Sequence, residues 1–208
     1  MKYICTVVVF FFVCLTVGSL IWVNKAMASI NEEPMHPYKM QVDSFYTPIK
    51  SLNRYVTEKL DTVKSNFLEN MRLATEQNDQ LYTLNVTYDT YETDKYLSFV
   101  FYIEIYTGGA HPNLEIWTVV WDKTNELIVT NESFTKEFLE KVSEKVRADL
   151  LMNPKITSIT WLFEGTKPVM ENFKSFVYTN DGILFFFSPY QVAPYSSGLF
   201  DAYVDNLQ

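Results

Sequence analysis

One segment of the chain, Tyr96 to Tyr106, restricts the possible folds more than any other because it is apolar on both faces of a β-strand. Side chains of a strand alternate between its two faces. One face therefore carries Leu97, Phe99, Phe101, Ile103 and Ile105. The opposite face carries Val100 and Tyr102, which are also apolar or aromatic. A strand of this kind must be covered on both sides, so the sequence predicts a central strand between two layers.

Two amphipathic helices are predicted, at about residues 48–76 and 135–151. The first has Thr47 as its cap and Pro48 in its first turn. Its apolar residues recur at steps of three and four and form one stripe, which consists of Ile49, Leu52, Val56, Leu60, Val63, Phe67 and Met71. The second helix has the same spacing and is predicted to end before Asn153-Pro154.

Shorter apolar segments predict further strands, at residues 82–88, 114–121, 127–129, 173–178 and 183–187. The last two form a hairpin, in which Gly182 is expected to supply a positive φ. Phe185, Phe186 and Phe187 point to alternate faces and are expected to fill core on both. The order of helix, strands, helix and strands predicts an α+β fold with a mostly antiparallel sheet.

The N-terminal residues form an uncharged apolar run from Tyr3 to Val23. The run is long enough for a membrane anchor, but Ala26-Met27-Ala28 also fits a signal-peptide cleavage pattern, with cleavage before Ser29. Both alternatives stay open for residues 1–28. Residues 29–39 are predicted to be a tether. In either case the remainder of the chain is expected to be extracytoplasmic: periplasmic, on the cell surface or secreted.

Cysteine content and charge exclude several classes of function. Cys5 and Cys14 both lie in the apolar run, so the exported part has no thiol for catalysis, metal binding or a disulfide. Without Lys2 and Lys25, 15 basic and 25 acidic residues remain. This balance argues against nucleic acid or an anionic membrane surface as partner and suits a cationic partner. The alternative is that the acidity only keeps the domain soluble.

The sequence contains no recognisable catalytic or metal-binding motif. Its two histidines, His36 and His111, are far apart, and no spacing of acidic residues completes a metal site around either. We therefore expect no catalytic residue, no metal and no cofactor. The alternative is an envelope enzyme, a hydrolase or a deacetylase-like protein, that uses His111 with acidic residues.

Two loop segments are not explained by core packing alone. Residues 106–113 read "YTGGAHPN" and residues 188–198 read "SPYQVAPYSSG". Prolines and large rings in a loop can present a rigid contact surface, and a loop that covers a sheet edge is the alternative. The candidate binding residues in these two segments are Gly108, Gly109, His111, Pro189, Tyr190, Pro194 and Tyr195.

Together, these segments resemble a known family. The Gly-Gly-Ala-His turn, the phenylalanine-rich strand before Asp181-Gly182 and the Pro-Tyr-x-x-Ala-Pro-Tyr-x-x-Gly loop resemble the C-terminal extracytoplasmic domain of lysozyme-sensing anti-sigma-V factors. Similar domains occur in peptidoglycan deacetylases and in small exported proteins of unknown function. The resemblance covers about residues 106–208, and residues 40–105 look like the small helix-plus-strands domain that often precedes this domain.

The resemblance implies a non-enzymatic binding module of the bacterial envelope. Its expected ligand is a cationic protein such as lysozyme, or peptidoglycan, and it would contact the membrane only through residues 3–23 if they are not removed. Only Met1 and Lys2 precede the apolar run, so we expect no sigma-factor-binding domain. We also find no match to the metal-binding histidines of a deacetylase domain.

Overall fold

The computed structural model describes residues 37–73 and 80–205, and within them it confirms an α+β fold. The helices of this part are α1 (Lys50–Leu73), α2 (Lys136–Leu150) and α3 (Ile159–Gly165). The strands are β1 (Tyr38–Val42), β2 (Tyr82–Glu92), β3 (Tyr96–Tyr106), β4 (Asn113–Asp122), β5 (Leu127–Val129), β6 (Phe176–Tyr178), β7 (Gly182–Phe187) and β8 (Phe200–Asp205).

The predicted leader and most of the predicted tether, including His36, lie outside the described residues. Strand β1 begins at Tyr38, so the last two residues of the predicted tether belong to a strand. In the described part of the chain, no helix combines the length and the apolar character that are needed to cross a membrane.

The strands form two sheets. The first has five strands in the order β1-β2-β3-β4-β5, all antiparallel except that β1 runs parallel to β2. The second has three antiparallel strands in the order β6-β7-β8. Residues 113–129, which the sequence assigns to the second domain, pair within the first sheet, and the predicted division at residue 105 stays a prediction.

Strand β3 lies in the middle of the five-stranded sheet and is covered on both faces, as its sequence predicts. On one face, Phe99, Phe101 and Ile103 pack against the apolar stripe of α1, in which Leu52, Val56, Phe67 and Met71 are almost inaccessible to solvent. On the other face, Val100 packs with Val177 and Phe186 of the second sheet. The molecule is therefore layered as helix, sheet, sheet and helices.

The three consecutive phenylalanines of β7 fill core on both faces of their sheet, which confirms the prediction. Phe185 and Phe187 belong to the core under α2 and α3, and Phe186 belongs to the cluster between the two sheets. Ser175, which directly precedes β6, also donates its hydroxyl to the backbone carbonyl of Ile116 in β4 over 3.2 Å. These contacts position the C-terminal half against the open face of the first sheet.

The expectation of a positive φ at Gly182 is wrong. Within the described residues, the glycines with positive φ are Gly108, Gly109 and Gly198. Gly182 is instead required by crowding, because a Cβ atom there would lie 2.2 Å from the Val204 carbonyl oxygen and 2.9 Å from the Asp205 Cα. The backbone of β8 approaches β7 too closely at this point for any side chain.

Candidate functional site

The turn between β3 and β4 contains the first of the two loop segments. Gly108 and Gly109 have φ values of +94° and +108°, which side-chain-bearing residues rarely adopt. The Tyr106 hydroxyl donates to the Gly109 carbonyl over 3.1 Å and closes the turn. The glycine pair thus allows a sharp reversal that places His111 at the surface.

Both ring nitrogens of His111 take part in hydrogen bonds. Nδ1 lies 2.8 Å from the carbonyl oxygen of Pro112, and Nε2 lies 3.0 Å from the hydroxyl of Tyr190. A carbonyl oxygen can only accept, so Nδ1 carries a proton. In the neutral imidazole, Nε2 then accepts from the Tyr190 hydroxyl. His111 therefore joins its own turn to the second loop segment.

The second loop segment lies between β7 and β8 and brings two tyrosines to His111. The ring of Tyr195 stacks on the imidazole with 3.6 Å between centroids and 14° between planes. The rings of Tyr190 and Tyr195 lie 5.6 Å apart. Pro194 directly precedes the short 3₁₀ helix that begins at Tyr195, and Pro189 precedes Tyr190. The prolines border the two tyrosines.

Tyr190 has an unusual backbone conformation, with φ of +70°, and the residue is 53% exposed. A tyrosine in this region carries a conformational cost of about 1–3 kcal/mol, which neighbouring contacts must offset. The Trp161 indole N–H provides one such contact, because it donates to the Tyr190 carbonyl over 2.7 Å. The two rings are also nearly parallel, with 14° between planes and 6.4 Å between centroids.

Trp161 belongs to α3, a seven-residue helix that the sequence pattern does not predict. Ser158 caps this helix by accepting from the Trp161 backbone N–H over 3.3 Å. The serine three residues before an apolar "WLF" was the available signal, but a helix of two turns has too few residues for a clear periodicity. We refer to His111, Trp161, Tyr190 and Tyr195 together as the aromatic surface.

The loop that carries the tyrosines is fixed to the protein beneath it. The Gln191 side-chain amide donates to the carbonyls of Gly165 and Asn172 over 3.1 and 2.9 Å. Val192 and Ala193 are buried in the core under α2 and α3. At Gly165, a Cβ atom would lie 1.8 Å from the Gln191 carbonyl oxygen, so only glycine allows this close approach. The aromatic surface is therefore held on a rigid loop.

The hydrogen bonds of His111 restrict the use of its ring in proton transfer. Neither ring nitrogen of His111 lacks a hydrogen bond, so proton transfer to a substrate would require one of these bonds to break. In residues 37–73 and 80–205, no group of three or more His, Cys, Asp or Glu side chains is placed to hold a metal ion. Exposed rings in a fixed arrangement lose little entropy when they bind.

An acidic region lies on the face of the first sheet that meets the second sheet. The Tyr102 hydroxyl donates to the Asp89 carboxylate over 3.2 Å. Burial, followed by the charge of Asp89, raises the pKa of Tyr102 to about 12. Burial and the charges of Asp89 and Asp201 also raise the pKa of Tyr91. Both carboxylates therefore contribute to a negative potential in this region.

Two family models match different parts of the chain. Residues 24–114 match the model described as Deacetylase PdaC, and residues 127–205 match the model described as Protein of unknown function (DUF3298). The first match contains Gly108, Gly109 and His111. The second contains the other three members of the aromatic surface. The surface is thus assembled from both matched regions.

Individual proteins are similar to the chain over different extents. Immunogenic protein MPB64 of Mycobacterium bovis is 25% identical over 173 residues, which cover 80% of this chain and 73% of that protein. The peptidoglycan-N-acetylmuramic acid deacetylase PdaC of Bacillus subtilis is 31% identical over 153 residues, which cover 67% of this chain. The match spans only 33% of that deacetylase.

Two solved structures of the DUF3298 family are similar to this chain. One, from Bacteroides fragilis, has a TM-score of 0.49 at 18% sequence identity and covers 77% of this chain and 67% of that chain. The other, from Pseudomonas aeruginosa, has a TM-score of 0.47 at 13% identity and covers 70% of this chain and 65% of that chain.

Proposed function

We propose that the protein is a non-enzymatic extracytoplasmic binding module of the bacterial envelope, and that the aromatic surface is where it contacts its partner. The observation that carries this proposal is the arrangement of Tyr190. Tyr190 is 53% exposed, its hydroxyl is hydrogen-bonded to His111, and its strained backbone is held by Trp161. Strain that several contacts maintain in an exposed aromatic residue is typical of functional positions.

Three observations support the extracytoplasmic location. The apolar run from Tyr3 to Val23 is suited to export or anchoring, and the chain after Cys14 contains no cysteine. The match to a peptidoglycan deacetylase adds a relative whose substrate lies outside the cytoplasmic membrane. The two outcomes for the leader, removal before Ser29 or retention as an anchor, both place the aromatic surface outside the cytoplasm.

A cationic protein such as lysozyme is the partner that the charge and the resemblance favour. The exported part carries 15 basic and 25 acidic residues, and the exposed Asp89 and Asp201 place part of this charge near Tyr102. Such a potential accelerates the approach of a cationic protein, whereas a few aromatic anchors supply most of the affinity. Peptidoglycan is the alternative partner.

The second candidate function is an envelope enzyme that uses His111, and the match to Deacetylase PdaC is the observation that favours it. The aligned region covers a third of the deacetylase, so its activity does not extend to this chain without a test. The hydrogen bonds at both nitrogens of His111 argue for a role in positioning Tyr190.

One experiment separates these functions. The full chain, kept in mild detergent, is immobilised and exposed to lysozyme or to purified peptidoglycan at low and at high salt. We expect retention of lysozyme that weakens as salt screens the charges. Release of acetate from peptidoglycan that is lost in His111→Ala, together with no retention of lysozyme at low salt, would instead establish the enzyme. Retention of peptidoglycan that does not depend on salt, without retention of lysozyme, would mean that peptidoglycan is the partner.

A further inference from the structure

A groove of about 190 Å³ lies at the edge of the five-stranded sheet, and none of its lining residues belongs to the aromatic surface. Among the described strands, β5 pairs with only the last three residues of β4, so the groove opens beside the earlier part of β4. Tyr55 of α1 lines one side, and Lys174 and Ser175 before β6 line the other. The groove therefore runs across the edge of the sheet, between its two covering layers.

One wall of the groove is aromatic and well supported. Trp117 stacks on Phe101 with 4.8 Å between centroids and 28° between planes. Tyr55 lies 6.0 Å from Trp117, is 43% exposed and extends the wall towards solvent. Lys59 places its ammonium 5.8 Å from the centre of the Trp117 ring. Phe101 and Lys59 thus fix Trp117 in place, and Tyr55 offers the exposed aromatic surface of the wall.

The rest of the lining supplies hydrogen-bonding groups that the described protein leaves available. The side chains of Glu115 and Lys174 make no hydrogen bond or ion pair with any described residue. The indole N–H of Trp117 likewise has no acceptor in that part of the chain, although a half-buried indole usually has one. Asn131 donates its amide N–H to the Met170 carbonyl over 2.6 Å, and its side-chain oxygen has no hydrogen-bond partner among the described residues.

We propose that this groove binds a saccharide ring. The C–H face of a pyranose is apolar and packs on aromatic rings, while its hydroxyls both donate and accept hydrogen bonds. The groove matches each requirement, with an aromatic wall, an acceptor in Glu115 and donors in Lys174 and Trp117. A purely apolar ligand would leave these polar groups without partners, which is costly in a groove. The volume of the groove, about 190 Å³, is about that of one sugar ring.

This inference goes beyond the proposed function, since the groove shares no residue with the aromatic surface. A module with both sites would contact a protein through one surface and a glycan through the other. A substitution can therefore remove one site and keep the other, and a negative result for one proposal does not contradict the other.

The test uses the full chain, labelled with 5-fluorotryptophan and kept in mild detergent, with tri-N-acetylchitotriose as the probe. Trp117→Phe assigns the fluorine signal of Trp117 and preserves the stack on Phe101. We expect this signal to shift on titration, and Glu115→Gln and Lys174→Met each to weaken binding by about tenfold, the scale for a hydrogen bond to a charged group. Glu137→Gln and Lys141→Met are matched controls at exposed positions of α2. Both variants should bind the saccharide with the affinity of the unchanged protein.

Three results would overturn the proposal: no shift up to about 10 mM saccharide, where even weak sites begin to fill, equal affinity in all variants, or binding of the zwitterionic dipeptide glycylglycine in place of the saccharide. Tyr190→Ala distinguishes the saccharide site from the lysozyme-binding surface of the proposed function. It should reduce lysozyme binding and leave the saccharide titration unchanged.

Discussion

The ring of Tyr195 lies parallel to the imidazole of His111, with 3.6 Å between the two centroids, although one belongs to the loop after β7 and the other to the turn before β4. Tyr190, which is 79 residues from His111 in sequence, bonds to the same imidazole. A single histidine therefore orders two tyrosines, and changes at any of the three residues should be coupled.

Tyr190→Ala should weaken lysozyme binding by about 2 kcal/mol or more, the scale of an aromatic hot spot. Tyr190 is the more exposed tyrosine of the pair, and Tyr195 acts mainly by fixing His111 beneath it. Tyr46→Ala is the matched control, because Tyr46 is 79% exposed and lies outside the aromatic surface. Calorimetric titration of the full chain measures both, after circular dichroism has shown that they are folded. Equal lysozyme affinities for the two variants would show that lysozyme does not contact the protein through Tyr190.

His111→Ala should lower the free energy of unfolding by about 0.5–1.5 kcal/mol, the usual contribution of a hydrogen bond between neutral groups. A larger decrease in the free energy of unfolding would be expected for a buried histidine, but His111 is exposed. Combining it with Tyr190→Phe should show non-additivity, because both changes remove the same bond. Urea unfolding of the two single variants and the double variant measures this coupling. Strict additivity would mean that the bond between His111 and Tyr190 contributes nothing in solution.

Gly165→Ala should destabilise the protein by about 1–3 kcal/mol, as expected for overpacking of a closely packed site. The new methyl group would overlap the Gln191 carbonyl and push the tyrosine loop away from α3. Thr160→Ala, an exposed position on the same helix, is the control. Thermal unfolding gives the stability, and lysozyme binding should fall as well. A Gly165→Ala protein of unchanged stability and affinity would show that the loop does not depend on this contact.

Stability should decline at alkaline pH because two tyrosines are held protonated in the folded state. Burial is the main cause that raises the pKa of Tyr102 and of Tyr178 from 10.0 to about 12. Between these values the unfolded chain has released protons that the folded protein retains, so the stabilisation present below about pH 10 is lost as pH rises through about 12.

Urea unfolding as a function of pH measures this decline, and absorbance at 295 nm follows the tyrosines directly. Tyr102→Phe should flatten part of the decline, and Asp89→Asn should lower the pKa of Tyr102, because the carboxylate opposes formation of the phenolate. An unchanged pH profile in Tyr102→Phe would exclude this residue as a cause.

Much of the fold could be predicted from the sequence where the pattern is long. The apolar stripe of α1 and the two apolar faces of β3 extend over many residues, and the structure confirms both. Strand β1 could not be found in this way. It is exposed along most of its length, and its pairing with β2, rather than its own sequence pattern, makes it a strand. The two strands pair in parallel, in a register that sets Tyr38 opposite Tyr82.

The candidate site was predictable only in part. The sequence marks His111, Tyr190 and Tyr195 by the composition of their loops, and the structure brings all three together. Trp161 had no such signal, because its role depends on one hydrogen bond to a distant carbonyl. Gly182 shows the opposite error, since an Asp-Gly pair suggests turn geometry when the true constraint is the approach of β8.

The division of the aromatic surface between two matched regions has a consequence for protein engineering. His111 comes from residues 24–114, and its three partners come from residues 127–205. A chimaera that receives only residues 127–205 would keep the contacts among Trp161, Tyr190 and Tyr195 but would lose the hydrogen bond and the stacking contact that His111 makes with the two tyrosines. Transplantation of this surface onto another scaffold would therefore require both segments, in register, to be carried over together.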